Sequence, residues 1–247
     1  MSGAPLVLAA GGGGPVIPSF GKASHCVVSN GQFCSGWFLH NWSSVFQPRL
    51  IEHIELTLIA VGVGMVIAFT AAIVAYNQNW FETPFSLFSA FLYTIPSIAL
   101  FELLVQVTGI NRFTAEVGLV GYTLLILFRN MLTGLRGVPP SALEAAQAMG
   151  LTARQSLLRV EIPLALPAIM AGIRIATVTT ISLATVAAYI GAGGLGVPIF
   201  DAIQTGFKTE FLATGIIVVA LAIVADGLLV LIQRALTPWT RTRLQSV

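Results

Sequence analysis

Charge is what this chain has least of: of its 247 residues only 9% are Asp, Glu, Lys or Arg, where a soluble domain carries about 25%. So few charges cannot clothe a globular surface in water, and a mean hydropathy of +0.88 points to lipid as the surrounding solvent. No charge falls between Glu55 and Glu82, between Glu82 and Glu102, or between Arg174 and Asp201. Each gap holds the roughly 20 apolar residues that cross a hydrocarbon core. Lysine is scarcer still, and its scarcity excludes a function. Only Lys22 and Lys208 occur, the first followed by Ala23 and the second preceded by Phe207, so no phosphate-binding loop ending in Gly-Lys-Ser/Thr exists. The chain cannot draw on ATP that way. His25, His40 and His53 precede the first expected span without metal-ligand spacing, so neither a metal site nor a cofactor is expected. A net charge of +2 says little by itself, and no nucleic-acid partner is expected.

Hydropathy predicts an all-α integral membrane protein of about five transmembrane helices, at Glu55 to Tyr76, Phe85 to Thr108, Ala115 to Leu135, Pro163 to Tyr189 and Phe211 to Gln233. Residues 1–50 read as a non-spanning arm. The stretch from Ala4 to Phe20 is broken by Gly11 to Gly14, Pro15 and Pro18 and lacks the basic start of a signal peptide. Residues 51–235 form the transmembrane domain and 236–247 a tail. An odd number of spans puts the termini on opposite sides. Arg136, Arg154, Arg159, Arg234, Arg241 and Arg243 would share one side, against Arg49, Arg112 and Lys208 near the other. That asymmetry predicts an outer N-terminus and a cytoplasmic C-terminus. In the arm, Cys26 and Cys34 flank a segment that reads as a hairpin, with Ser29-Asn30-Gly31 as its loop and Gly31 left-handed. Outside the cytoplasm the two would oxidise to a disulfide. A two-residue Asn-Gly turn would instead set them diagonally and leave two free thiols.

Between the third and fourth spans the charge returns, with Arg136, Glu144, Arg154, Arg159 and Glu161 in one segment. Ser141 with Glu144 makes a capping box behind Pro139-Pro140, and Gly150 suits a left-handed helix end. Thr152 with Gln155 makes a second capping box, opening a helix that would run to Pro163 where the fourth span begins. Residues 139–163 are therefore a two-helix cytoplasmic elbow. Its small, mildly apolar face, including Ala145, Ala146 and Met149, suits a partner's groove or the lipid interface.

Glu144-Ala145-Ala146, three residues, Gly150, nine residues, then Val160-Glu161-Ile162-Pro163 resembles the EAA loop of permease subunits in binding-protein-dependent ABC importers. The resemblance covers most of the chain from about Leu50 and implies a type I importer permease fold. It implies that Ser141, Glu144, Ala145, Ala146, Met149, Gly150 and Pro163 belong to an elbow docking on separate ATPase subunits. It also implies a second permease subunit, identical or paralogous, a solute-binding protein outside, and a place in the bacterial cytoplasmic membrane. Thr94-Ile95-Pro96-Ser97-Ile98-Ala99-Leu100 and Gly191-Ala192-Gly193-Gly194-Leu195-Gly196 resemble the branch for osmoprotectants such as glycine betaine, choline and carnitine. Importers of methionine or phosphonate are the alternative, and an ion-coupled secondary transporter a more distant one.

Glu102, Arg129, Arg174 and Asp226 fall inside expected spans, where a charge is costly unless paired or in contact with water. Glu102 is the expected deep partner of Arg174, while Arg129 and Asp226 would snorkel or pair with each other. Tyr93, Pro96, Glu102, Arg174, Tyr189 and Gly193 are the candidates for a translocation pathway. The aromatic rings, Phe91 and Phe101 included, are otherwise packing. Gly191 to Gly196 with Pro198 would form an irregular re-entrant bend, since non-helical backbone at depth must be buried or line water.

Overall fold

The computed structural model describes residues 25–31 and 33–240. The stretch from Ala4 to Phe20, Lys22, Arg241 and Arg243 lie outside these residues, as do the outer parts of the expected arm and tail. Among the described residues the regular structure is helical throughout. Two short helices, α1 (His25–Ser29) and α2 (Ser35–His40), lead through a π turn at Trp42–Phe46 into α3 (Gln47–Asn77). α4 (Asn79–Thr94), α5 (Ser97–Thr108) and α6 (Arg112–Arg136) follow, then α7 (Pro140–Ala148) and α8 (Ala153–Ser156). A second π turn, Leu157–Glu161, runs into α9 (Ile162–Ala187), and α10 (Gly196–Thr205) and α11 (Lys208–Leu236) close the chain.

Among the described residues four continuous helical runs are long and apolar enough to cross a membrane: Trp42–Asn77, Arg112–Arg136, Ala153–Ile190 and Lys208–Leu236. The expected second span, Phe85 to Thr108, is instead two helices, α4 and α5, bent by 102°. Proline explains the bend. Pro96 offers no N–H and forces its predecessor out of the helical region, leaving Ile95 (ψ 128°) and Pro96 (ψ 136°) extended. The pair makes the fifth span when counted together.

Ion pairs set the directions of the helices. Arg112, opening α6, meets Glu55 near the start of α3 at 2.9 Å, and Arg136, ending α6, meets Glu82 at 2.6 Å in the first turn of α4, which begins where α3 ends, so α3 and α6 run parallel from the arm end to the elbow end. α9 runs back, its Ala165 and Ala168 against Gly134 near the elbow and its Ile181 carbonyl against His53 near the arm. α6 is central: 61% of its most apolar window is buried, against none of the same window in α11. Small residues allow this closeness. A Cβ at Gly64 would lie 1.9 Å from Thr123 Oγ1, and one at Gly172 would lie 2.6 Å from Asn130 Cβ. Around that axis Ala68, Ala72, Leu127, Phe128, Met131 and Leu135 form the main core.

Both π turns stand just before a proline, Pro48 and Pro163. In each, the last N–H reaches back five residues, from Gln47 to Trp42 and from Ile162 to Leu157. The widened turn absorbs the donor that the proline lacks. Helix α8 therefore continues through Pro163 into the fourth span, where the sequence led us to expect a boundary.

Candidate functional site

The elbow stands at one end of the bundle. Pro139 occupies the capping position of α7 without a side-chain hydrogen bond, and Pro140 is the first helical residue. The expected Ser141–Glu144 capping box is absent, because Pro140, with its preset φ and no N–H to satisfy, starts the helix before Ser141. The other end follows the sequence reading. Gly150 has φ +73°, and its N–H and that of Leu151 return to the carbonyls of Gln147 (2.9 Å) and Ala146 (3.1 Å). This is a Schellman motif, which needs a left-handed residue. Thr152 and Gln155 form the expected reciprocal capping box. Ala146 is buried, Glu144 and Ala145 are exposed, and Met149 is 70% exposed. An apolar side chain is thus displayed at the tip of a short, sharply terminated helix.

At the bend of the second span, Tyr122 on α6 donates its hydroxyl to the Ile95 carbonyl, an acceptor freed when Pro96 breaks the helix. Tyr93 meets the Tyr122 ring edge-on at 6.0 Å and is itself exposed. Tyr93 and Pro96 therefore belong to one corner, and Glu102 is exposed on α5. Phe101 is core, pressed against Gly118, and Phe91 is exposed. Tyr189 contacts Phe200 at 5.9 Å, and no ring contact joins it to Tyr93 among the described residues.

Arg174 is paired with Asp226, not with Glu102. Its Nε and Nη2 donate to the two carboxylate oxygens at 2.8 and 2.9 Å. α9 and α11 pack side by side at Arg174, whereas α5 shares a core with α9 farther along, Phe101 with Ala184 and Ala187, so residue depth alone misjudged the partner. Of the two alternatives for Arg129 and Asp226, mutual pairing fails, because Asp226 is taken by Arg174 while Arg129 is exposed on α6. Glu116, near the start of α6, was missed: both its carboxylate oxygens are buried without a hydrogen-bond partner, and Arg112 Nε lies 4.0 Å away. Its place four residues inside a helix opening on Arg112 was the available signal.

The glycine-rich segment is irregular from Gly191 to Leu195, after which α10 carries Pro198 in its first turn. The non-helical part is thus shorter than expected. Gly191, Gly193 and Gly194 all have positive φ, and two side chains of α3 hold the segment. Glu52 Oε2 accepts from the Gly194 N–H at 2.8 Å and from Arg49 at 2.9 Å. His53, fully buried, lies 3.0 Å from the Ile181 carbonyl through Nε2, while its Nδ1 accepts from the Leu195 N–H at 3.2 Å. One neutral imidazole, protonated at Nε2, satisfies both. Sequence reading put His53 before the first span, but α3 begins at Gln47 and makes it a clamp. A periodic helix beginning only at Glu55 hid that signal.

Cys26 and Cys34 are joined by a disulfide. The pairing agrees with the expectation and the hairpin does not: Cys26 lies on α1, and Asn30 (φ +47°), not Gly31, is left-handed. Asn30 donates to the Gly206 carbonyl (2.8 Å) and accepts from the Lys208 N–H (3.0 Å), and the Cys34 N–H donates to Thr209 Oγ1 (3.0 Å). The arm is thereby latched onto the corner between α10 and α11, with Trp37 edge-on to Phe207 at 4.7 Å. Closing a loop of 8 residues is worth about 2.5 kcal/mol in chain entropy. Replacing both cysteines by serine should therefore make the arm cleavable in limited proteolysis while the transmembrane helices stay protected; equal protease resistance would show that the latch holds without the bond.

Comparison with known proteins places this geometry. Residues 60–238 match the family model described as binding-protein-dependent transport system inner membrane component. The chain is 36% identical over 200 residues to the choline transport system permease protein OpuBB of Bacillus subtilis, covering 81% of this chain and 92% of that protein. It is 38% identical over 192 residues to the osmoprotectant import permease protein OsmW of Salmonella typhimurium, covering 76% and 89%. A solved structure of the MetNI methionine ABC transporter in an inward-facing conformation superposes with a TM-score of 0.69 at 24% identity, over 77% of this chain and 95% of that one; this likeness concerns the fold. A family match over most of the chain, joined by relatives spanned nearly end to end, makes this protein a member of the inner-membrane components of binding-protein-dependent transport systems.

Proposed function

We propose that this chain is one permease half of an ATP-driven importer of quaternary ammonium osmoprotectants such as choline, glycine betaine and carnitine. The observation that carries the coupling role is the elbow itself. A short helix projects from the bundle with Glu144, Ala145 and Met149 exposed and is stopped sharply at Gly150. Such a protrusion suits a groove on a separate ATPase subunit, where Ser141 to Gly150 would dock while Pro163 anchors the start of α9. The substrate class rests on the two relatives named above. A second permease subunit and an extracytoplasmic binding protein complete the assembly, and hydrolysis belongs to the ATPase.

The orientation has two supports. The Arg residues gather at the elbow end, as retained positive charge does, and the disulfide of the opposite end needs an oxidising compartment. Residues 1–50 thus face outward, 51–235 span the membrane, and 236–247 are cytoplasmic. Tyr93, Pro96 and Glu102 are our candidates for the pathway wall, with Tyr189 and Gly193 at its outer mouth and Arg174 held by its ion pair.

Two measurements test the reading. In proteoliposomes containing both permease subunits, the ATPase and the binding protein, labelled choline, glycine betaine or carnitine should accumulate on ATP addition and methionine should not; methionine uptake alone would reverse the substrate assignment. Gly150→Val should disconnect hydrolysis from uptake or release the ATPase, since a β-branched residue at φ +73° costs about 1–2 kcal/mol or more. No neighbour lies within 4 Å of a Cβ built there, so the effect would be conformational and not a clash. Unchanged coupled uptake in this variant would count against the elbow as the docking element.

A further inference from the structure

Helix α10 lies between two sets of left-handed glycines. Gly191, Gly193 and Gly194 precede it and Gly206 follows it, all with positive φ, and glycine turns through such conformations at little steric cost. Both sets are held from the N-terminal side. Before α10, Glu52 and His53 accept the N–H groups of Gly194 and Leu195; after it, Asn30 donates to the Gly206 carbonyl and accepts from the Lys208 N–H. Each of these holding side chains precedes residue 60, where the family match begins, so the fastening belongs to the arm and the start of α3.

The two fastenings differ in strength. The Leu195 bond is buried with His53, where low polarity strengthens it, whereas both Asn30 bonds lie at the surface in competition with water. Asn30 is itself left-handed, at φ +47°, midway round the loop that Cys26 and Cys34 close. Along its length α10 faces the arm across a cavity of about 400 Å³, with Val197, Asp201 and Gln204 on one wall and Val27, Ser44 and Val45 on the other. A short helix with a firm end, a releasable end and space along one side is built to tilt. We infer that α10 is a movable strap at the outer mouth, which tilts into this cavity when the Asn30 bonds open, and that Asn30 is the positioning residue that holds it. The inference rests on the importer reading proposed above and gives the N-terminal arm a part in the transport cycle.

Ser44→Cys with Gln204→Cys puts one thiol on each wall of the cavity, and the native disulfide does not react with maleimides. In proteoliposomes of the whole importer, a short bismaleimide should join the two thiols faster during ATP turnover than without ATP, and the joined protein should no longer import. Without ATP, Asn30→Gly, which keeps the left-handed backbone and loses both side-chain bonds, should speed the reaction by about fivefold for each net hydrogen bond lost. Asn30→Asp, which keeps the acceptor for Lys208, should fall between it and the wild type. Cross-linking at one rate in every state and variant, absence of reaction included, would overturn the inference, and so would full uptake by the joined protein. A wild-type complex without ATP-driven uptake would instead overturn the functional reading itself, which separates the two failures.

Discussion

Gly196→Val should abolish accumulation of the folded protein. A Cβ at this position would lie 2.0 Å from the Thr185 carbonyl oxygen and 2.5 Å from Ala188 Cβ. The first obstacle is backbone at the end of α9 and cannot rotate away as a side-chain tip would. Gly196 also opens α10, directly after the segment that Glu52 and His53 hold to α3. Any shift that relieves the clash pulls Leu195 from His53 and leaves a buried N–H and a buried imidazole nitrogen without partners, a further cost of about 1–3 kcal/mol each. Added to about 3 kcal/mol for severe overpacking, this rivals the whole stability of a typical domain. Gly215→Ala is the control, since nothing lies within 4 Å of a Cβ there; in the middle of α11 it should be neutral or gain about 0.5–1 kcal/mol. Yield and thermal stability in detergent, read by size-exclusion chromatography, would decide the matter. A monodisperse Gly196→Val protein with the melting temperature of the Gly215→Ala control would show that the contact between α9 and α10 is looser than described.

The second large effect concerns Arg174 and Asp226. Their bidentate pair at 2.8 and 2.9 Å joins two spans, and beyond Thr209, Ala213 and Thr214 nothing on α11 is buried. Arg174→Leu leaves a carboxylate inside the membrane without its cation, and Asp226→Leu leaves the reverse; each should cut the amount of folded protein several-fold. Arg174→Leu combined with Asp226→Leu should recover much of the loss, because the penalty lies in an uncompensated charge and not in the absence of the pair. The exchanged pair, Arg174→Asp with Asp226→Arg, should recover part of it with poorer geometry. Full stability of both single variants would show that water reaches these side chains freely. A double-leucine protein as damaged as the singles would instead point to a direct role for the charges.

Legibility from sequence followed the range of the interactions involved. The end of the elbow helix at Gly150 and the capping box at Thr152 and Gln155 were correct because a few adjacent residues decide them. The start of that helix was misplaced by two competing local signals, the Ser141 box and the Pro139-Pro140 pair, and the proline geometry prevailed. The break at Pro96 stands in plain sight in Thr94-Ile95-Pro96-Ser97, yet a hydropathy window averages over it and reports one span. Arg174 was correctly expected to need a partner, while the choice of partner depended on which helix lies beside α9.

A chain this poor in charge, with uninterrupted apolar stretches and one Glu-Ala-Ala…Gly segment between its third and fourth spans, is committed to a bundle of membrane helices with an elbow at one end. Composition and periodicity suffice for that, because the cost of placing charge and open backbone in lipid acts on each segment separately. The 102° bend, the Arg174–Asp226 pair and the His53 clamp on the glycine-rich segment required the folded chain. Each depends on side chains brought within a few ångströms from distant parts of the sequence, and in such contacts the energy comes from geometry that no local pattern encodes.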